Sequence, residues 1–185
     1  MVYIKKYVVI LLSCLLSVIF PLTILAKTEM NAEQRTFLSF ESKISDLIIT
    51  SMELLDNMEK MNGKLSEEEL YNLELNVREE FATRSKVLSQ IKVPEELQNN
   101  IQSSLETVKK DLSIGLTELE ESMLCFAKYL AGRDQIVYDE YIQRKNTGFR
   151  YINGGLTSLS TVALQLNIPT SKSGSIKKAW KKHLK

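Results

Sequence analysis

Apolar residues recur every three or four positions through most of the chain, and the recurrence is punctuated at Gly63, Pro94, Gly132 and Pro169. From Asn31 to Asn62 a seam of Phe37, Phe40, Ile44, Leu47, Leu54, Met58 and Met61 is interrupted by Ser51, and Leu38, Ile48, Met52 and Leu55 widen it on one side. A stripe this broad exceeds the seam of a two-stranded coiled coil and predicts packing against two or more helices. Ser66-Glu67-Glu68-Glu69 reads as a capping box, with Leu65 and Leu70 at the positions of a hydrophobic staple. The second helix is expected to run from there to about Ile91, with Leu70, Leu73, Val77, Phe81, Leu88 and Ile91 on one face.

Pro94 forces Lys92-Val93 toward an extended conformation, and it suits the first turn of a third helix with Glu95 and Glu96 at its positive end. That helix continues through Leu97, Ile101, Leu105, Val108, Leu112, Leu116, Leu119, Met123, Phe126 and Leu130. Gly132 is expected to close it in a left-handed conformation, and Asp134 to cap a fourth helix that ends at Asn167-Ile168-Pro169. Gly148, Gly154 and Gly155 each cost the fourth helix about 1 kcal/mol relative to Ala, so helical stability is given up there for something else. Two explanations compete. One is close approach to a neighbouring helix, with Gly115 opposite. The other is an opening beside Arg144, Arg150 and Tyr151 that admits a ligand. The expected fold is all-α: an antiparallel up-down-up-down four-helix bundle of long helices over residues 27–170, behind an N-terminal signal or anchor segment.

That segment covers residues 1–26. Tyr7 to Ala26 holds no charged side chain, and Lys5 and Lys6 stand just before it, the layout of an export signal. Three fates are open. Cleavage after Ala26 has a small residue at the cut and Pro21 to break the apolar helix, although Ile24, two residues before Ala26, is bulky for its position. Retention as an anchor is allowed by length, because about twenty residues at about 1.5 Å each span a bilayer core. The third is lipidation at Cys14, since Leu11-Leu12-Ser13-Cys14 resembles a bacterial lipobox. Against it, Leu15 to Ala26 would leave a nearly apolar stretch directly behind the lipid. All three place the bulk of the chain on the outer side of the membrane, secreted or attached to its outer face.

Charge divides the remainder. The whole chain carries 24 Lys and Arg against 23 Asp and Glu, yet six of the lysines fall after Pro169. An acidic bundle is therefore followed by a basic tail, residues 171–185. In a short helix capped by Ser175, Ile176, Ala179, Trp180, His183 and Leu184 would share one face, with lysines on the rest. Such a segment suits an anionic surface, and Lys177, Lys178, Trp180, Lys181 and Lys182 are its candidate contact residues. It is too short for a stable isolated helix and would fold on its partner, a lipid head group or cell-wall polyanion. The alternative is a solvated terminus or one folded back on the acidic bundle. Nucleic acid is not expected as a partner, because the bundle's charge opposes it.

Catalytic chemistry is sparse. His183 is the single histidine, which argues against di-iron, haem and histidine-based zinc sites and against Ser-His-Asp or Cys-His catalysis. Carboxylates such as Glu67 to Glu69 and Glu118, Glu120 and Glu121 are expected on solvated faces. Cys125, within an apolar run, is expected to be a buried and inert thiol. No catalytic, cofactor-binding or metal-ligating residue is therefore expected.

With Val93-Pro94-Glu95-Glu96-Leu97 as its most familiar piece, the chain resembles small exported bacterial helical-bundle proteins and lipoproteins of unknown function. The resemblance is architectural and carries over neither an activity nor site residues. The expected role is non-enzymatic, in the cell envelope or secreted, through protein or surface contacts. The alternative is a small-ligand-binding bundle with a pocket near the glycines of the fourth helix. A membrane-active protein that inserts its helices is the least favoured, because no stretch after Ala26 has the uncharged length needed to span.

Overall fold

The structure, a computed structural model, describes residues 30–61 and 63–168, and it groups the described residues from Ala32 as one compact unit. The described residues form four helices and no strand: α1 (Ala32–Met61), α2 (Glu67–Gln90), α3 (Asn99–Gly132) and α4 (Gln135–Gln165). The helices pack against one another, most extensively α3 on α4, then α2 on α3, and least of these α1 on α2.

The stripes read from the sequence form a single core. Phe37, Phe81, Leu105, Leu112, Leu119 and Ile152 are fully enclosed within it. In α1 the buried line is rotated from the expected seam. Ile44, Ile48, Met52, Leu55 and Met58 are inside, Leu47 and Leu54 are half-buried, and Met61 is exposed. Ser51, an interruption of the seam by its chemistry, belongs to the buried line by its position. The residue is fully buried, and its hydroxyl donates to the Leu47 carbonyl at 2.7 Å, so no polar atom is stranded.

The helix ends follow from local chemistry. Ser66 caps α2 as expected: its N–H and hydroxyl donate to the Glu69 carboxylate at 2.9 and 2.7 Å, and its hydroxyl oxygen accepts from the Glu69 N–H at 3.3 Å. The Asp134 side chain accepts from the Ile136 N–H at 2.8 Å and caps α4. At its other end α4 closes with Asn167 at φ 53°, the Asn167 N–H on the Leu164 carbonyl and the Ile168 N–H on the Ala163 carbonyl. Those two bonds define a Schellman motif, and the buried Ile168 supplies its apolar contact.

Two expected boundaries move. Pro94 heads a turn closed by the Leu97 N–H on the Pro94 carbonyl, and α3 begins at Asn99. The Gln102 side chain holds that turn against the helix by donating to the carbonyls of Leu97 at 2.6 Å and Glu95 at 3.2 Å, while Leu97 plugs the core. At the far end of α3 the left-handed residue is Arg133, at φ 53°, and Gly132 remains helical. A non-glycine residue there costs about 1 kcal/mol. Arg133 recovers part of it by pairing with Glu67 and by lying 5.5 Å from the Tyr129 ring centre.

Candidate functional site

Both expected explanations for the α4 glycines can be weighed against their surroundings. A Cβ at Gly148 would stand 2.9 Å from the Gly115 carbonyl oxygen, and one at Gly115 would stand 3.0 Å from the Gly148 carbonyl oxygen and 2.5 Å from Ile152. A Cβ at Gly155 would stand 2.8 Å from the Leu112 side chain. The face of α4 bearing Gly148 and Gly155 is therefore filled by α3, which favours close packing over an opening. Gly154 points elsewhere, and a Cβ there would meet nothing within 4 Å. Arg144 is committed to Glu140 at 2.9 Å and Glu118 at 3.3 Å, and Arg150 lies 5.9 Å from the Tyr151 ring centre.

The anomaly of the interior lies elsewhere. Glu74 on α2 follows Leu70 by four positions and precedes Val77 by three, so the helical repeat that buries those two residues also buries Glu74. The residue is 0% exposed, and neither of its carboxylate oxygens has a hydrogen-bond partner. Burial pushes its pKa up to about 8; the Lys145 charge opposes the shift and the Glu59 charge reinforces it. The carboxyl is thus held protonated at neutral pH.

Around it, Lys145 on α4 donates to Glu59 on α1 and, at 3.3 Å, to the Tyr141 hydroxyl. Burial alone would lower the Lys145 pKa. The hydrogen bond to Glu59 and the neighbouring Tyr141 and Glu59 charges outweigh it and raise the value above the usual lysine range. Burial raises the Tyr141 pKa, against the charge and hydrogen bond of Lys145. Phe126, Tyr129 and Tyr138 pack beside this group, with Phe126 and Tyr141 centroids 4.7 Å apart. Sequence reasoning placed the carboxylates on solvated faces. Glu118 and Glu120, in ion pairs at partly exposed positions, fit that reading, but Glu74 and the buried Glu41 do not.

A groove follows the seam between α1 and α2. Its first part, about 540 Å³, has Phe40, Ile91 and Pro94 in its walls and Arg35, Lys43 and Lys92 around them. A second part of about 460 Å³ shares Lys43 and Ile91 and continues over Leu47 and Val87 to Asp46 and Thr50. Cys125 is a free, buried thiol whose pKa is raised chiefly by burial and then by the Glu140 charge. Among the described residues no group of His, Cys, Asp and Glu could hold a metal ion, and no helix is long and apolar enough to cross a membrane. Cys14 and the tail residues Lys177, Lys178, Trp180, Lys181 and Lys182 lie outside the described residues.

One contact locates the ends of the bundle. The Gln34 side chain, in the first turn of α1, donates to the Leu166 carbonyl at the close of α4 at 2.9 Å. Beside it, Glu33 accepts from the Gln98 N–H at 3.3 Å. The chain therefore enters α1 and leaves α4 at one end of the bundle, the end that also carries the start of α3. These features define an all-α, four-helix protein with a buried carboxyl, without a hydrogen-bond partner, in its core. No protein-family model, curated protein or solved structure matches the chain.

Proposed function

We propose that the protein is a non-enzymatic, exported bundle of the cell envelope that works by contact with an anionic surface or a protein held there. The observation that carries this reading is the Gln34–Leu166 contact, which brings the start of α1 beside the end of α4. The uncharged leader Tyr7 to Ala26 precedes the first and the lysine-rich tail follows the second, so both are joined to the same end of the bundle. Where the leader is retained or acylated, two surface-seeking segments joined to one end reinforce each other, because engagement of one raises the effective concentration of the other. The same end contacts support an antiparallel up-down-up-down arrangement. The leader is then a cleaved signal, a retained anchor or, with Cys14 acylated, a lipid attachment.

The mass of the mature N-terminus distinguishes these fates. Deleting residues 171–185 is expected to weaken binding to anionic vesicles or cell-wall material, most visibly at low salt. Unchanged binding would remove the tail from the reading, and a cytoplasmic protein with an intact leader would overturn it. The alternative of a ligand pocket beside the α4 glycines has the packing of Gly115, Gly148 and Gly155 against it.

A further inference from the structure

The α1/α2 groove differs from the α3/α4 seam in what its helices bring to it. On α1 the buried Phe40 lines it from beneath, and the residues beside it, Thr36, Ser39, Lys43, Leu47 and Thr50, follow a three-and-four spacing in which only Leu47 is a bulky apolar group. On α2 and its C-cap the facing residues are Val87, Gln90 and Ile91, and Val87 is 41% exposed, unusual for a valine between two packed helices. Small and polar side chains on one wall leave a furrow that a row of leucines would have closed.

Charge along the furrow is graded. Arg35, Lys43 and Lys92 line the part nearest the start of α1, and among the described residues no carboxylate lines that part. Farther along, the walls are Leu47, Val87 and Ile91, with Asp46 the one acidic side chain. From Thr36 to Thr50 the furrow extends roughly 21 Å at about 1.5 Å per residue, room for a compact head and the first half of a long acyl chain. A ligand that satisfies both parts has a compact anionic head and a single apolar tail.

From this juxtaposition of a cationic head region and an apolar furrow between α1 and α2, we propose that the protein binds a single-chain anionic lipid there. The head lies against Lys43 and Lys92 and the tail along Leu47, Val87 and Ile91. The proposal deepens the surface reading, since it names the lipid class that the bundle would meet at a membrane, but it concerns the body of the bundle and not its leader or tail.

The test uses the mature protein purified from the cells that make it, mixed with lysophosphatidylglycerol carrying a palmitoyl chain with a photoreactive diazirine near its end. Adducts are expected on the peptides holding Leu47, Val87 and Ile91. The double variant K43E/K92E, checked for an unchanged melting curve, should reduce them about tenfold, as for the loss of about 1.4 kcal/mol of binding. Lysophosphatidylcholine, whose head is zwitterionic, should label less by a similar factor. Neutralising Lys177, Lys178, Lys181 and Lys182 should leave the groove adducts intact. Adducts spread over all four helices, or confined to the leader and tail, would overturn the proposal, as would equal labelling of wild type and K43E/K92E. Groove adducts without vesicle binding would uphold the groove while refuting the surface reading.

Discussion

Gly115 on α3 and Gly148 on α4 meet backbone to backbone, each occupying the space where the other's Cβ would have to fit: the hypothetical Cβ atoms stand 3.0 and 2.9 Å from the opposite carbonyl oxygens. Neither carbonyl can yield without moving its helix. G115A and G148A are therefore expected to lower stability by about 1–3 kcal/mol each, the usual range for an overpacked core. G155A should cost less, because its nearest obstacle is the Leu112 side chain. G154A, whose surroundings are open, should raise stability by up to about 1 kcal/mol through better helix propensity. Urea unfolding of the four variants measures the order; equal effects at all four positions would contradict the packing.

Glu74 sets a dependence on pH. Its carboxyl has an ordinary value of 4.5 and is raised to about 8 in the fold. Between those values the folded state holds a proton that the unfolded state has released, so this contribution to stability is complete below 4.5 and is lost as pH rises through 8. At about 1.4 kcal/mol per unit, the interval sets a ceiling of about 5 kcal/mol. E74M, which removes the polar atoms at similar volume, should flatten the stability profile between pH 5 and 9 and gain most at the alkaline end. Denaturant unfolding across that range would count against the assignment if wild type and variant ran parallel.

Lys145 supplies the opposing charge. K145M should therefore move the alkaline loss of stability to higher pH, because the Glu74 carboxyl loses the cation that eases its ionisation. The shift is read from the same unfolding profiles. Its absence in the E74M background, as a double-mutant cycle, would tie it to Glu74.

Cys125 should react slowly with a disulfide reagent in the native state, since it is buried and its thiol is held protonated by burial. The rate should climb with denaturant as the core opens. A fast native reaction at mildly alkaline pH would mean that α3 is exposed on that side.

The features that were legible in the sequence are those set by short-range chemistry. Ser66 with Glu69 and Asp134 with Ile136 cap their helices through atoms only two or three residues apart, and the Gly115 approach follows from the cost of glycines inside α4. Gly132 misled because it is indeed the residue best suited to a left-handed turn, yet Arg133 is held in that conformation by Glu67 and Tyr129, partners on other turns and helices. Pro94 misled for a similar reason: the Gln102 side chain stabilises a turn where a helix start would also have satisfied local rules. Glu74 was obscured by its neighbours. Leu73 and Leu75 flank it, so the apolar pattern alone does not say which face turns inward, although Leu70, Val77 and Phe81 select the one that carries Glu74. The groove required the pairing of two helices and was not visible in either.

The Gln34–Leu166 contact also has a mechanical meaning. If both ends of the chain were held, tension between them would act on the start of α1 and the end of α4 together. Each helix would then be peeled from its neighbour, α1 from α2 and α4 from α3, one turn at a time, as a zipper opens, instead of resisting along its whole length in shear. A molecule tethered in this way yields to a small pull, and the first part to come away would be the end at which Glu33, Gln34 and Leu166 bind the helices together.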